Sequence, residues 1–127
     1  SGTQGNYNVK LTPYTPQLLI YNPEFKLGLI SNTPISHLNS GFVVSNISII
    51  NEYSEMKSFA IILVLKKISD NSIYNVSIIE KTLLPVTREI FSGGFNIPDN
   101  YQDYKIEIMA WDGIRSMNVV SNTMIFQ

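Results

Sequence analysis

The stretch Phe59-Ala-Ile-Ile-Leu-Val-Leu65, closed by Lys66 and Lys67, is the longest unbroken apolar run in the chain. It is far shorter than the ~20 residues that cross a bilayer, and its branched side chains suit a central strand buried on both faces. Such a strand needs cover on two sides. One side takes the second layer of the same domain, and the other takes a loop or a partner. The chain therefore has to supply further strands around this one.

At 127 residues the chain fits one domain with one core. The expected division is a tail or linker over residues 1–6, with no signal-peptide pattern in it, followed by a single domain over 7–127. A hydrophobic fraction of 44% excludes a disordered chain, and charged residues at only 15% leave a neutral polar surface that resists self-association weakly. The net charge is −1, with Lys and Arg scattered along the chain, so no basic patch is predicted and nucleic acid is not an expected partner. No cysteine is present, which removes disulfides, thiol catalysis and cysteine-rich zinc sites.

Read in order, Tyr7–Leu11 suits a short first strand, ended by Pro13 and Pro16. Leu18–Tyr21 and Phe25–Ile30 read as two strands joined by a turn at Asn22-Pro23-Glu24, with a bulge or close approach at Gly28. Phe42–Asn51 alternates, placing Val43, Ile47 and Ile49 on one face and Asn46 and Ser48 on the other. The central run and Ile73–Ile79 form a hairpin around Ser69–Ser72. Thr87–Ser92 offers another strand before Gly93-Gly94. Tyr104–Trp111 shows the cleanest alternation, and Val119-Val120 with Met124–Phe126 closes the chain. Short strands every ten or so residues, with no capped apolar period of 3.6, predict an all-β sandwich of about seven to nine antiparallel strands.

The stretches Phe59–Lys66, Ile73–Leu83, Phe95–Asn100, Tyr104–Asp112 and Gly113–Ser121 carry a resemblance. Ile97-Pro98-Asp99, followed by Tyr104, Ile106, Trp111-Asp112 and Met117, resembles the immunoglobulin-like or fibronectin-like modules of secreted and cell-surface proteins of low-GC Gram-positive bacteria. The likeness covers about the last two-thirds of the chain. It departs at Val119-Val120-Ser121, where those modules have Pro-Leu-Ser, and nothing in the first forty residues matches. The resemblance implies an immunoglobulin-like sandwich, an extracellular or cell-surface location, and a non-catalytic module whose partners are neighbouring domains of a larger protein. It carries over no catalytic residue and calls for no cofactor.

The residues themselves offer few sites. His37 is the sole histidine and sits in a loop, and no nucleophile, metalloprotease or phosphate-loop motif is present, so no enzyme is expected. Asp99, Asp103 and Asp112 could gather oxygens for calcium, but their spacing matches no calcium loop and turn-capping is the expected role. No metal site is expected. Tyr14, Tyr21, Tyr53 and Tyr101, with Tyr74 and Tyr104, lie in or beside turns. Tyr14, Tyr21, Tyr53 and Tyr101 are the candidates for stacking on a polysaccharide, which needs three rings on one exposed face. Trp111 reads as packing. Ala60, Ile62 and Val64, on the even face of the central strand, mark an interface or a self-association surface unless Tyr7–Ile30 covers them, which is the expected arrangement. Asn46-Ile-Ser48 and Asn75-Val-Ser77 are formal sequons expected to occur by chance.

Overall fold

In the computed structural model, which describes residues 18–28 and 33–127, seven strands form two antiparallel sheets. The strands are β1 (Leu18–Leu27), β2 (Gly41–Asn51), β3 (Lys57–Lys67), β4 (Ile73–Leu83), β5 (Arg88–Ile97), β6 (Tyr104–Trp111) and β7 (Met124–Phe126), with one turn of 3-10 helix at Tyr101–Asp103. One sheet runs β1-β2-β5 and the other β4-β3-β6-β7. This is the all-β sandwich that the alternation predicts. The fourth strand lies beside the third, its hairpin partner, rather than joining the first sheet as it does in antibody constant domains.

The core forms where the inward faces meet. Val43, Ile47 and Ile49 of β2, Ile61, Leu63 and Leu65 of β3, Phe91 and Phe95 of β5, and Ile106 and Ile108 of β6 are all buried in it. Each large aliphatic side chain withdrawn from water contributes about 1.5–3 kcal/mol, so β3 alone is a major source of stability. All seven residues from Phe59 to Leu65 are buried, as the sequence implies.

Both margins of the sandwich are tied. On one, the rings of Phe25 and Phe126 stack with centroids 3.7 Å apart, and Leu18 bridges to Ser121. On the other, Lys81 and Glu89 pair at 3.7 Å between β4 and β5. At one end Asn51, fully buried, donates from Nδ2 to the carbonyls of Leu83 and Glu55, both at 3.1 Å, and accepts at Oδ1 from the Tyr53 amide at 2.9 Å. That side chain joins the β2–β3 turn to the β4–β5 turn.

Three expectations change. Leu18–Leu27 is one strand, not two, because pairing with β2 continues on both sides of Asn22-Pro23. These two residues form a bulge, with Asn22 at φ 48°, and an edge strand tolerates the missing proline donor. Gly28 follows that strand at φ 79° and its amide donates to the Phe42 carbonyl at 2.6 Å, the close backbone approach expected there as the alternative to a bulge. The strand predicted to stop at Ser92 continues through Gly93-Gly94 to Ile97, because a Cβ on Gly94 would sit 2.6 Å from the Phe42 ring and glycine admits that ring. Val119 makes only an isolated bridge to Trp111 and is not part of the last strand. The expected tail over 1–6, the strand Tyr7–Leu11 and Tyr14 lie outside the described residues.

Candidate interaction face

The outward side of the four-stranded sheet is where the fold departs from ordinary surface chemistry. Antiparallel sheets at a surface usually turn polar side chains outward. Here the register aligns Ile78, Ile62 and Met109 in one row across the strands, with Val76 and Val64 in the next and Ala60 and Trp111 in the one before. Ala60, Ile62 and Val64 form a second apolar cluster, separate from the main core, with Met109 and Trp111 packed against it.

Exposure grades across this face. Ile62 is 1% exposed at the centre, while Val76 and Ile78 on β4 are each 45% exposed. Ile73 and Ile125 continue the exposed rim on the outer strands. The opposite sheet is polar by comparison, with rows Tyr21–Ser48–Ile90 and Glu24–Asn46–Ser92 facing out. The expected cover for the apolar face is corrected in part. Leu18–Leu27 belongs to the other sheet and does not lie over it, and the remainder of Tyr7–Ile30, apart from Gly28, lies outside the described residues.

Charge is unevenly placed along the face. At the end near Lys66, Glu107 pairs with Lys66 and with Lys105, each at 3.1 Å. Burial pushes the Glu107 carboxyl up, but hydrogen bonds from Lys105 and Lys66 outweigh it and hold the group below its ordinary value. Two lysines and one carboxylate leave that end net positive. At the other end, Glu80 pairs in register with Ala60 and has no ion-pair partner among the described residues. Asp112 follows Trp111 there. Its carboxylate accepts hydrogen bonds from Ser116 Oγ and from the Asn118 amide and side chain. The hydrogen bond from Ser116 chiefly lowers its pKa; desolvation opposes it, and the bonds from Asn118 add to the lowering.

The other sequence candidates are dispersed. Tyr21 lies on the outward face of the three-stranded sheet, beside a shallow depression lined by Asn22, Ser48, Arg88 and Ile90. Tyr53 sits in the β2–β3 turn with the Lys57 ammonium 4.5 Å from its ring centre. Tyr101 lies at the opposite end of β3, in a hollow of about 360 Å³ with His37, Gln102, Tyr104 and Gln127. Tyr21, Tyr53 and Tyr101 are half-buried and share no face, and Tyr74 meets Tyr104 edge-on at 5.2 Å. Asp103 accepts hydrogen bonds from the Ser69 amide and hydroxyl, near the Lys67 end of the sheet, whereas Asp112 closes its own loop near the Ala60 end. The acidic residues thus do not converge, and no cluster of metal-ligating side chains occurs among the described residues.

Alternation in Tyr104–Trp111 sets Met109 on the face of Trp111, whereas Val76 and Ile78 are not marked out by the sequence alone. Only the register of their strand against β3 assigns those two to this face.

Neither a family model nor a curated protein matches this sequence. Among solved structures the chain is similar to Bacteroides uniformis beta-glucuronidase, in a crystal structure of that enzyme at a TM-score of 0.57. A second match, to beta-glucuronidase 2 of the same organism covalently bound to cyclophellitol-6-carboxylate aziridine, has a TM-score of 0.58. Both matches have 8% sequence identity and cover 87% of this chain but 14% of the glucuronidase chain. At that identity the likeness shows the sandwich fold alone. Among the described residues no helix is long and apolar enough to cross a membrane.

Proposed function

We propose that this chain is a non-catalytic contact module of a larger protein, and that it works through the outward face of its four-stranded sheet. The observation that carries the reading is the second apolar cluster, Ala60, Ile62 and Val64 with Met109 and Trp111, on the side of the sheet away from the core. The exposed Ile73, Val76, Ile78 and Ile125 on the same face, bordered by charge, suit association rather than chemistry. The solved-structure matches fit this reading, since the same fold there occupies a small part of a long chain. The resemblance to modules of Gram-positive surface and secreted proteins supplies the setting: a spacing, adhesion or assembly unit, outside the cell.

Hydroxyl-radical footprinting tests the reading. Met109, Trp111 and Ile78 should be oxidised more slowly in the parent protein or its assembly than in the isolated module. Equal oxidation in both states would count against contact through this face.

A further inference from the structure

We infer that the outward face of the β4-β3-β6-β7 sheet takes a second copy of this chain, packed face to face about a two-fold axis that runs across the strands. This inference rests on the contact-face reading above and names its occupant. The argument begins with charge placement. Toward the Ala60 end the face carries Glu80, a carboxylate with no ion-pair partner among the described residues, and at the other end the net-positive Lys66, Lys105 and Glu107 group. A two-fold axis across the strands reverses one copy end for end. Glu80 of each copy then approaches Lys66 of the other, and the exposed Ile78 of each meets Val76 of the other near the centre.

Symmetry favours this arrangement over its alternatives. An axis parallel to the strands would set the lysine ends against each other and put both Glu80 carboxylates at the same end, away from the lysines, which is repulsive. An isologous interface needs a self-complementary patch, and only the crossing axis makes this one so. Sheets stack about 10 Å apart, a distance that interleaved Val76, Ile78 and Met109 side chains can fill.

Area sets the strength. Three strands of about nine residues and the three-residue β7, spaced ~4.8 Å and rising ~3.3 Å per residue, give a face of about 500 Å² per copy. The total lies near the lower limit for specific interfaces, where complexes are weak and reversible. The expected dissociation constant is about 10 μM to 1 mM, rising with salt because the end-to-end pairs are screened.

Sedimentation velocity over about 10 μM to 1 mM tests this. The wild-type chain should pass from monomer to dimer over that range, with weaker association in high salt. Ile78→Glu, which puts a charge at the centre of the interface, should remain monomeric. Glu80→Lys alters only an exposed polar residue, so folding is not at stake, and it should weaken the dimer about tenfold. Asn96→Glu, on the outward face of the opposite sheet, should dimerise as the wild type does. A wild-type chain that stays monomeric at the top of the range overturns the second copy as occupant, while the footprinting comparison still judges the face. A dimer unaffected by both Ile78→Glu and Glu80→Lys overturns the proposal and removes this face from the contact-module reading as well.

Discussion

Asn122 pairs with Ile20 as a neighbouring strand would: its Oδ1 accepts from the Ile20 amide at 2.8 Å and its Nδ2 donates to the Ile20 carbonyl at 2.9 Å. One side chain thereby satisfies both backbone groups of an edge residue and fastens the three-stranded sheet to the segment entering β7. The neighbouring Ser121 extends the tie, accepting from the Ala110 amide and donating to the Asn122 carbonyl. At Ile20 the edge of the sandwich is thus tied by side-chain amide chemistry, beside the Leu18–Ser121 backbone bridge.

Replacing Asn122 with alanine removes both hydrogen bonds and leaves Ile20 unpaired. The expected cost is about 2 kcal/mol, measured as a lower urea midpoint at unchanged m-value. Asn122→Asp keeps the acceptor but sets a carboxylate against the Ile20 carbonyl, and should be at least as harmful at neutral pH. If either variant unfolded at the wild-type midpoint, the margin would be held by the Phe25–Phe126 stack and the Leu18–Ser121 bridge.

Asn51 is the buried counterpart at one end of the sandwich. Its amide serves the carbonyls of Leu83 and Glu55 and its oxygen serves Tyr53, with no exposure to water that could replace them. Asn51→Ala strands the buried Leu83 carbonyl and removes the bonds to Glu55 and Tyr53, and should cost about 2–3 kcal/mol. Asn51→Asp should be worse, because a carboxylate cannot donate to those carbonyls. Thermal unfolding followed by circular dichroism reads both.

The division between what the sequence disclosed and what it hid follows chemical lines. Period-two burial is a property of neighbouring residues, so the strand at Phe42–Asn51, the central strand and Tyr104–Trp111 could be read directly. The continuity of Leu18–Leu27 could not, because Asn22-Pro23 carries a strong turn signal and only pairing with β2 overrides it. Gly93-Gly94 misled in the same way. Their role depends on Phe42, which is distant in sequence. The apolar face was half visible in Ala60, Ile62 and Val64, while its flanks on β4 and β6 required the register.

The Phe42 ring and Gly94 define a close approach that a variant can probe. A Cβ on Gly94 would meet the ring at 2.6 Å and the Val43 carbonyl at 3.1 Å. Gly94→Ala should therefore destabilise by about 1–3 kcal/mol. Part of that loss should vanish in a Phe42→Ala background, since the ring is then absent. A double-mutant cycle in urea measures the coupling, and strictly additive losses would mean that the backbone clash, not the ring, sets the cost.

Val86 occupies the turn between β4 and β5 at φ 55°, directly after Pro85, and its side chain is exposed. A β-branched residue in the left-handed region is strained, and asparagine tolerates that conformation far better. Val86→Asn should raise stability by about 1 kcal/mol, seen as a higher melting temperature. An unchanged or lower value would show that the strain is relieved elsewhere in the turn.

Glu107 links the apolar face to pH. Its folded-state pKa lies below the ordinary glutamate value because hydrogen bonds from Lys105 and Lys66 outweigh the opposing effect of burial. A depressed acid contributes stability that is fully present above its unfolded-state pKa, near 4.5, and is lost as pH falls through the folded-state value. Wild-type stability should thus hold from neutrality down to weakly acidic pH and fall below that. Glu107→Gln lacks the titrating group, so it should be less stable than wild type at neutral pH and lose less on acidification. The gap between the two proteins should narrow from pH 7 to pH 3, followed by urea unfolding at each pH. A gap that stays constant would mean that Glu107 acts through packing and neutral hydrogen bonds, with its charge contributing nothing to folding.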